Sequence, residues 1–492
     1  MTGLPPRIHP LVRSFLGHRE GPAGLLARWG SPLNVLFPEI FCGNVAGFRR
    51  ELEARGLRYR ICYAHKANQG RAFVRAALAE GIGIDVASPG ELRSALAAGF
   101  PVSRIEATGP KGRDFLRVLA GTGITINADN LWELSEIIRL ARANGGNGVR
   151  RVAVLVRLCG FGSTAPGAAR RPSRFGVPIA RYKAVTDLLC AARDAVDFLG
   201  LSFHLDSSEV RDKVLAVDEC LRLFERAWAD GLSPRILNVG GGFRQAFADT
   251  PEPFEEYAQA VKRGLAGHGE PLTWGGSTLG YRYEDGGIRG ALVSAKYAGT
   301  VTGSDFLGEL AGSPLPGQGG RTVARVLREN MIELWLEPGK ALVDHAGLTL
   351  ASVEFVKEAP DGSVLVNLDI SRDKICPADQ EVMLDPVLIY RSPPRGGAGH
   401  RAGVFFAGNL CLERDMIFTH LTFIDRIPEP GDIVAFINTA GYQMDLSASA
   451  ALMQRQPARA VIRGTASGFA ARADTDDQHE EAGQCSTATS PS

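Results

Sequence analysis

At 492 residues the chain is too long for one ordinary hydrophobic core, so two or three domains are expected. Its hydrophobic fraction of 45% and charged fraction of 22% are those of a soluble globular protein. A net charge of +1 gives no electrostatic footing for nucleic acid or an anionic membrane, and no apolar run is long enough to span a bilayer. The cysteines are scattered, with none in a CxxC pair, so neither a disulfide framework nor a metal site is suggested. The N-terminus lacks the apolar core of a signal peptide, and a reduced, cytoplasmic protein is expected.

In chain order, Pro32–Phe37 reads as a strand within an N-terminal segment spanning 1–44. From 45 to about 343 a short apolar strand, a small-residue turn and an amphipathic helix recur. The expected strands are Tyr59–Lys66, Ile82–Ala87, Arg104–Thr108, Ile124–Asn127, Val152–Leu158, Leu201–Leu205, Ile236–Val239 and Ile332–Glu337. Helical stretches such as Arg71–Ala79, Pro89–Ala98, Leu131–Ala143 and Ile179–Ala195 lie between them. Apolar runs too short for helices and separated by helices predict a parallel sheet of βαβ units. Eight such units fit a (β/α)8 barrel better than an open sheet. The connection from Gly242 to Met331 is too long for one crossover. Its Gly- and Tyr-rich part, about 270–330, reads as an insertion, either a lid or contact arm or a surface loop. Gly160–Arg171 reads as a smaller loop. Beyond 344 the strands Ala346–Val356, Ser363–Ile370, Gly403–Phe406, Met416–Ile427, Asp432–Asn438 and Ala458–Arg463, broken by Pro and Gly, predict an all-β domain, barrel or sandwich, over 344–466. The N-terminal segment is expected to join it. The polar stretch 467–492 reads as a disordered tail.

In a (β/α)8 barrel the chemistry sits at the C-terminal ends of the strands. Lys66, Asp85, Arg157, His204, Gly240–Gly242 and Glu337 all fall there. Lys66 closes the first barrel strand in Tyr63-Ala64-His65-Lys66-Ala67-Asn68. It reads either as a lysine reaching from a strand end into solvent or as a buried amine that has shed its proton and become a nucleophile. Neutral lysine amines form Schiff bases with aldehydes, including pyridoxal phosphate. That cofactor needs donors for its phosphate, an acid against its ring nitrogen and a group on the ring face. Gly240-Gly241-Gly242 could bring backbone N–H groups to a phosphate, although such a run is more often only a turn. Glu337, in Glu337-Pro338-Gly339-Lys340, could face the ring nitrogen or be a turn acid, and Gly339 and Lys340 could add phosphate contacts. His204 could stack on the ring or be a core histidine. Asp85 and Arg157 read as an ion pair, positioning or structural.

In order, these motifs resemble the fold-type III pyridoxal phosphate-dependent decarboxylases, the group of the diaminopimelate, ornithine and arginine enzymes. The pattern Y-A-x-K-A-N resembles Tyr63–Asn68, and D-V-x-S-x-x-E-L resembles Asp85–Leu92. S-K-F-G resembles Ser173–Gly176, H-x-G-S resembles His204–Ser207, and G-G-G-F matches Gly240–Phe243. E-P-G-R resembles Glu337–Lys340, G-P-x-C-x-x-x-D resembles Gly408–Asp415, and G-A-Y resembles Ala440–Tyr442. The likeness runs from about Pro32 to about Ile462. It implies an alanine-racemase-like barrel with a C-terminal β domain. It also implies decarboxylation of an amino acid at Cα through an aldimine and a quinonoid. Lys66 would hold the cofactor, His204 would stack on it and Glu337 would pair with its ring nitrogen. Ser207, Gly240–Gly242, Gly339, Lys340 and Tyr442 would surround the phosphate. The resemblance further implies a homodimer with shared active sites, in which Cys411 delivers a proton and Asp415 enters the partner's site.

The departures are equally specific. Leu412 stands where the family carries an acid that holds a basic substrate. Asp385, in Asp385-Pro386-Val387-Leu388-Ile389-Tyr390, stands where diaminopimelate enzymes carry the arginine of R-P-x-L-Y. Asp206 replaces the glycine of H-x-G-S. The chain therefore reads as a divergent member with a small-molecule amino-acid substrate, to which the substrates of its relatives do not transfer. A racemase of the same fold and a non-catalytic cofactor-binding paralogue are the alternatives.

Overall fold

The computed structural model describes residues 3–18, 21–144, 151–162, 173–206, 209–294, 298–377, 380, 382–392, 401–466 and 468–475. Contacts divide the chain into two compact units. One comprises Cys42–Arg244 and Thr302–Leu342, and the other Met1–Phe41, Gln245–Val301 and Val343–Gln478.

In the first unit eight parallel strands close on themselves. They are β1 (Tyr59–Ala64), β2 (Gly83–Val86), β3 (Ile105–Ala107), β4 (Thr125–Ala128), β5 (Val152–Cys159), β6 (Val196–Ser202), β7 (Ile236–Asn238) and β8 (Glu333–Leu336). Each pairs with the next, and β8 returns to β1. Helices join them, each turning an apolar stripe inward. In Arg113–Ala120 the buried residues are Phe115, Leu116, Leu119 and Ala120. The sixth strand lies earlier than expected, at Val196–Ser202, so His204 stands in the turn beyond it. Ile179–Ala195 is a short 3₁₀ turn followed by a helix that ends at Cys190.

The second unit is a nine-stranded mixed sheet. Leu33–Leu36 lies inside it, antiparallel to Leu350–Gly347 and parallel to Ala458–Val461. The N-terminal segment thus completes the β domain. Leu33, Val35 and Leu36 are fully buried there. Of Met416–Ile427 only Thr422–Ile424 is strand. The preceding backbone instead bonds the insertion: Trp274 donates to Thr419 and Leu421 donates to Leu272. The segment read as a disordered tail contains a strand, Gly468–Ala473, paired with Ala460–Thr465. Phe469 packs edge-on against Phe15 at 5.7 Å, and one aromatic anchor offsets the polar composition around it.

The long connection after β7 also differs from the sequence reading. Gln245–Val301 clusters with the β domain, while Thr302–Leu342 returns to the barrel. The cause is apolar: Tyr257, Val261, Leu272, Tyr281 and Leu292 bury against Leu4 and Met383 in a core of their own. No helix among the described residues is long and apolar enough to cross a membrane.

The main β-domain core includes Val366, Phe406, Ile417 and Phe436. Phe406→Ala is expected to lower that unit's stability by about 3–5 kcal/mol, read as an earlier denaturant transition. Barrel signals should be affected less.

Candidate active site

The hexapeptide around Lys66 is held by its own residues. The chain leaves β1 into a 3₁₀ turn, His65–Ala67, which carries Lys66. The Tyr63 hydroxyl donates to the Asn68 carbonyl at 3.0 Å, and the Asn68 side chain accepts from Gly70 N at 2.7 Å. Ala64 and Ala67 are small because Gly339 lies against them: a Cβ there would sit 3.0 Å from that of Ala67 and 3.2 Å from that of Ala64. The Glu337–Lys340 turn and the lysine turn are therefore packed backbone to backbone. Lys66 is half-buried. It is the strongest cationic influence on both Asp85 and Glu337.

Asp85 ends β2 buried, and accepts from the Thr108 hydroxyl at 2.6 Å. Its second oxygen is buried with no hydrogen-bond partner among the described residues. The expected Asp85–Arg157 pair is not formed. Arg157 reaches Asp129 at 3.7 Å and lies over the Phe175 ring at 4.7 Å. Next to Asp85, Ser88 and Glu91 form a helix cap. Glu91 N donates to Ser88 Oγ at 3.1 Å, and Ala87 N donates to Glu91 Oε2 at 2.6 Å.

The barrel interior at this end is polar. Asn238 of β7 donates to Glu106 of β3 at 2.9 and 3.1 Å and to Glu337 at 2.7 Å. β3 and β7 are not neighbours, so this bond crosses the interior. Asn127 of β4 also donates to Glu106 at 3.0 Å and accepts from Ser202 of β6 at 2.7 Å. Burial pushes all three acids up. Glu106 lies well above the ordinary carboxyl range, with Glu337 and then Asp85 adding repulsion. Glu337 is pushed to about 7 by burial, then by Asp85, against the pull of Lys66.

The glycine run works differently from the sequence reading. Gly240 N donates to Asn238 Oδ1 at 2.8 Å and Gly241 N to His204 Nδ1 at 3.1 Å. Two of the three N–H groups are thus spent within the protein. Gly242 N has no hydrogen bond among the described residues. Glycine is required by crowding and by backbone angle. Gly240 and Gly242 have φ of 64° and 74°, and Cβ atoms there would collide with the carbonyls of Phe203 and Leu205. Lys213 Nζ holds the loop from beneath, donating to Gly241 O at 2.7 Å and Val239 O at 3.2 Å. Burial lowers this lysine to about 7. His204, accepting at Nδ1, carries its proton on Nε2; burial and then Lys66 depress its pKa well below the usual value, so the ring is neutral. Lys340 Nζ stands 4.0 Å from Asp206, and Ser207 lies outside the described residues.

The remaining expected residues belong to the β unit. Cys411 is an exposed free thiol, and Leu412 beside it is 45% exposed. Asp415 is buried and builds the loop, accepting from Leu410 N at 2.7 Å and Arg372 N at 2.8 Å. Asp385 is turned into the protein. It accepts from Leu4 N at 2.7 Å and stands 3.9 Å from His420 Nε2. The Tyr390 hydroxyl donates to Arg426 O at 2.8 Å. Tyr442 is half-buried at φ 68°.

Sequence reasoning missed Glu106, Asn127, Asn238 and Lys213. Their signal was a polar residue inside a short apolar strand, as in Ile105-Glu106-Ala107, and a lysine within the stripe Val210, Val214, Val217, Leu221 and Phe224, all buried on one helix.

Two outcomes are expected. Lys213→Ala leaves two buried carbonyls without their donor, costing roughly 1–3 kcal/mol each, read by chemical denaturation. Glu337→Gln gains stability relative to the parent as pH rises from about 5 to 8. The folded protein holds that proton above the unfolded carboxyl value of 4.5, so the parent's contribution is complete below 4.5 and is lost as pH rises through about 7. The variant has no such loss. The slope of the difference is at most about 1.4 kcal/mol per pH unit.

Residues 44–273 match the family model described as "Pyridoxal-dependent decarboxylase, pyridoxal binding domain". The chain is 29% identical over 479 residues to the uncharacterized protein y4yA of Sinorhizobium fredii, covering 95% of each. It is 25% identical over 444 residues to diaminopimelate decarboxylase of Bacillus subtilis, covering 85% of this chain and 83% of that one. Among solved structures it shares its fold with diaminopimelate decarboxylase from M. jannaschii in complex with L-lysine, at TM-score 0.65 and 20% identity over 91% of this chain and 90% of that one. It also shares its fold with the Paramecium bursaria Chlorella virus arginine decarboxylase bound to agmatine, at TM-score 0.62 and 16% identity over 85% and 93%. With the closed barrel, its β domain and the ordered motifs, these likenesses make the chain similar to the fold-type III pyridoxal phosphate-dependent decarboxylases, and at low identity.

Proposed function

We propose that this protein is a pyridoxal phosphate-dependent carboxy-lyase that removes the α-carboxylate of an amino acid or an amino-acid derivative. The observation that carries the reading is one cluster at the C-terminal end of the barrel: a half-buried lysine, a neutral histidine, a crowded glycine turn and a buried acid. The residues fit the cofactor in two respects. Gly242 N–H makes no hydrogen bond among the described residues and is left for a phosphate, and Asp85 keeps a buried oxygen without a partner among the described residues.

When bound, the cofactor supplies an electron sink for the pair left by the departing carboxylate. The chain's residues do the rest. Lys66 would hold the aldehyde carbon and later release the product amine. Glu337 would hold a proton at the ring nitrogen. His204, being neutral, would pack on the ring without opposing its charge. Gly242, Gly339, Lys340 and Ser207 would bind the phosphate. Arg157 and Asp129 would orient the rim. Cys411 would deliver a proton to Cα from the β domain of a partner subunit, in a homodimer. A thiol suits that task because it carries a proton it can give up to a carbanion. Leu412 offers no charge for a basic side chain, and Asp385 is engaged with Leu4. The substrate's distal end is therefore not recognised by the acid or arginine that the family uses.

The test is carbon dioxide release from a panel of free and carrier-bound amino acids, alongside the visible band of bound cofactor. Lys66→Ala should abolish both. Cys411→Ala should keep the band and slow release by about 10²–10⁴-fold. Absence of the band in the parent, or full release from the Cys411 variant, contradicts the reading.

A further inference from the structure

Lys213 is a buried amine that the proposed reaction leaves without a task. It stands on the helix Val210–Ala229 and has no exposed surface. Its Nζ donates to Gly241 O at 2.7 Å and Val239 O at 3.2 Å, and lies 5.3 and 5.6 Å from the ring centres of Phe243 and Phe203. Carbonyl oxygens and ring faces are what an ammonium seeks. No carboxylate among the described residues is bonded to it; Asp206 and Glu337 act on it only through space. A buried cation ordinarily has an anion close by, and neutral dipoles alone offset only part of its cost.

One peptide leads from this lysine to the open side of the glycine turn. The bond between Gly241 and Gly242 is trans, so the N–H of Gly242 points opposite to Gly241 O. Gly242 is half-buried, and its N–H makes no hydrogen bond among the described residues. The peptide before it shows the contrast. Val239 O faces the same lysine, but the N–H of that peptide, on Gly240, is taken by Asn238 Oδ1. The Gly241–Gly242 peptide thus has its negative end on a buried cation and its positive end unspent. A cation on the carbonyl polarises the peptide and makes its N–H a stronger donor.

We propose that Lys213 is the buried counter-charge of an anion site at the glycine turn, a positioning residue that acts on a phosphate-like dianion through the Gly241–Gly242 peptide. That the anion is a cofactor's phosphate rests on the proposed function. The site itself does not. The lysine stays out of reach of the ligand and of water, so its charge is not screened, and the turn serves as the contact surface. The closing of the Gly240 N–H by Asn238 leaves Gly242 as the donor that Lys213 strengthens.

The test uses inorganic sulfate, which stays a dianion at neutral and mildly alkaline pH, titrated by calorimetry into the full-length chain dialysed free of phosphate esters. Lys213→Gln keeps two N–H donors for the two carbonyls and removes the charge. We expect the variant to bind sulfate about tenfold more weakly. In the parent, sulfate affinity should fall as pH rises through about 7, where Lys213 loses its proton. Asp206 and Glu337 remain in the variant, so the lysine's share is the difference between the two profiles, and His204 is neutral throughout. A lysine that only braces the turn would leave the affinity of the folded variant and both profiles alike, and that result overturns the proposal. A parent that binds no sulfate, or whose affinity is flat across this range, overturns it as well and needs no variant to fold. Sulfate binding by a chain that takes up no cofactor would refute the proposed function and leave this inference standing.

Discussion

Asn238 holds the working end of the barrel together. Its amide hydrogens go to Glu106 and Glu337, on strands that are not both its neighbours, and its oxygen goes to Gly240 N. One side chain thus fixes the acid end of the site and starts the glycine turn. Barrel interiors are usually filled by branched apolar residues, and the layer below is of that kind, with Leu155, Leu199, Ile236 and Trp335 packed together. Replacing the top layer by amides and acids costs stability unless every group is partnered. Here the amides are, and the remaining strain is concentrated on three carboxyls, each pushed toward holding a proton. Functional sites are where such concentrations are found.

The motifs resolve into ordinary mechanics around that layer. Tyr63 and Asn68 shape the turn that carries Lys66. Ser88 and Glu91 cap a helix and so fix the end of β2, where Asp85 stands. Gly339 lets the Glu337 turn lie on Ala64 and Ala67. Lys213 pulls the glycine turn inward by two carbonyls. Much of what looks like a chemical signature in the chain is the framing of a few reactive groups.

This explains what was legible in the sequence. The strands and the barrel could be read because a short apolar run between amphipathic helices has one good reading. Lys66, His204 and Glu337 could be read because strand ends are where a barrel places chemistry. The Asn238 and Glu106 pairing could not, because a bond across the interior joins residues 132 positions apart that no local pattern links. The glycine run was read either as a donor set or as only a turn, and crowding by Phe203 and Leu205 is what requires glycine there. The expected Asp85–Arg157 pair gave way to Thr108 and Asp129, both nearby but invisible to strand-end reasoning. The tail strand was missed because polar composition outweighed the single anchor Phe469. Specificity is the least legible part. Leu412 is an exposed leucine beside Cys411, and the Gln245–Val301 segment, which packs with the β domain, has no counterpart in the motifs.

The central claim is that Lys66, framed by this layer, is the residue that carries the cofactor. Borohydride reduction of the purified protein, followed by proteolysis and mass mapping, tests it directly. The account predicts a cofactor-derived mass on the peptide containing Tyr63–Asn68, at Lys66 alone. An adduct on Lys213 or Lys111, the buried lysines close to the site, or no adduct at all, would contradict it.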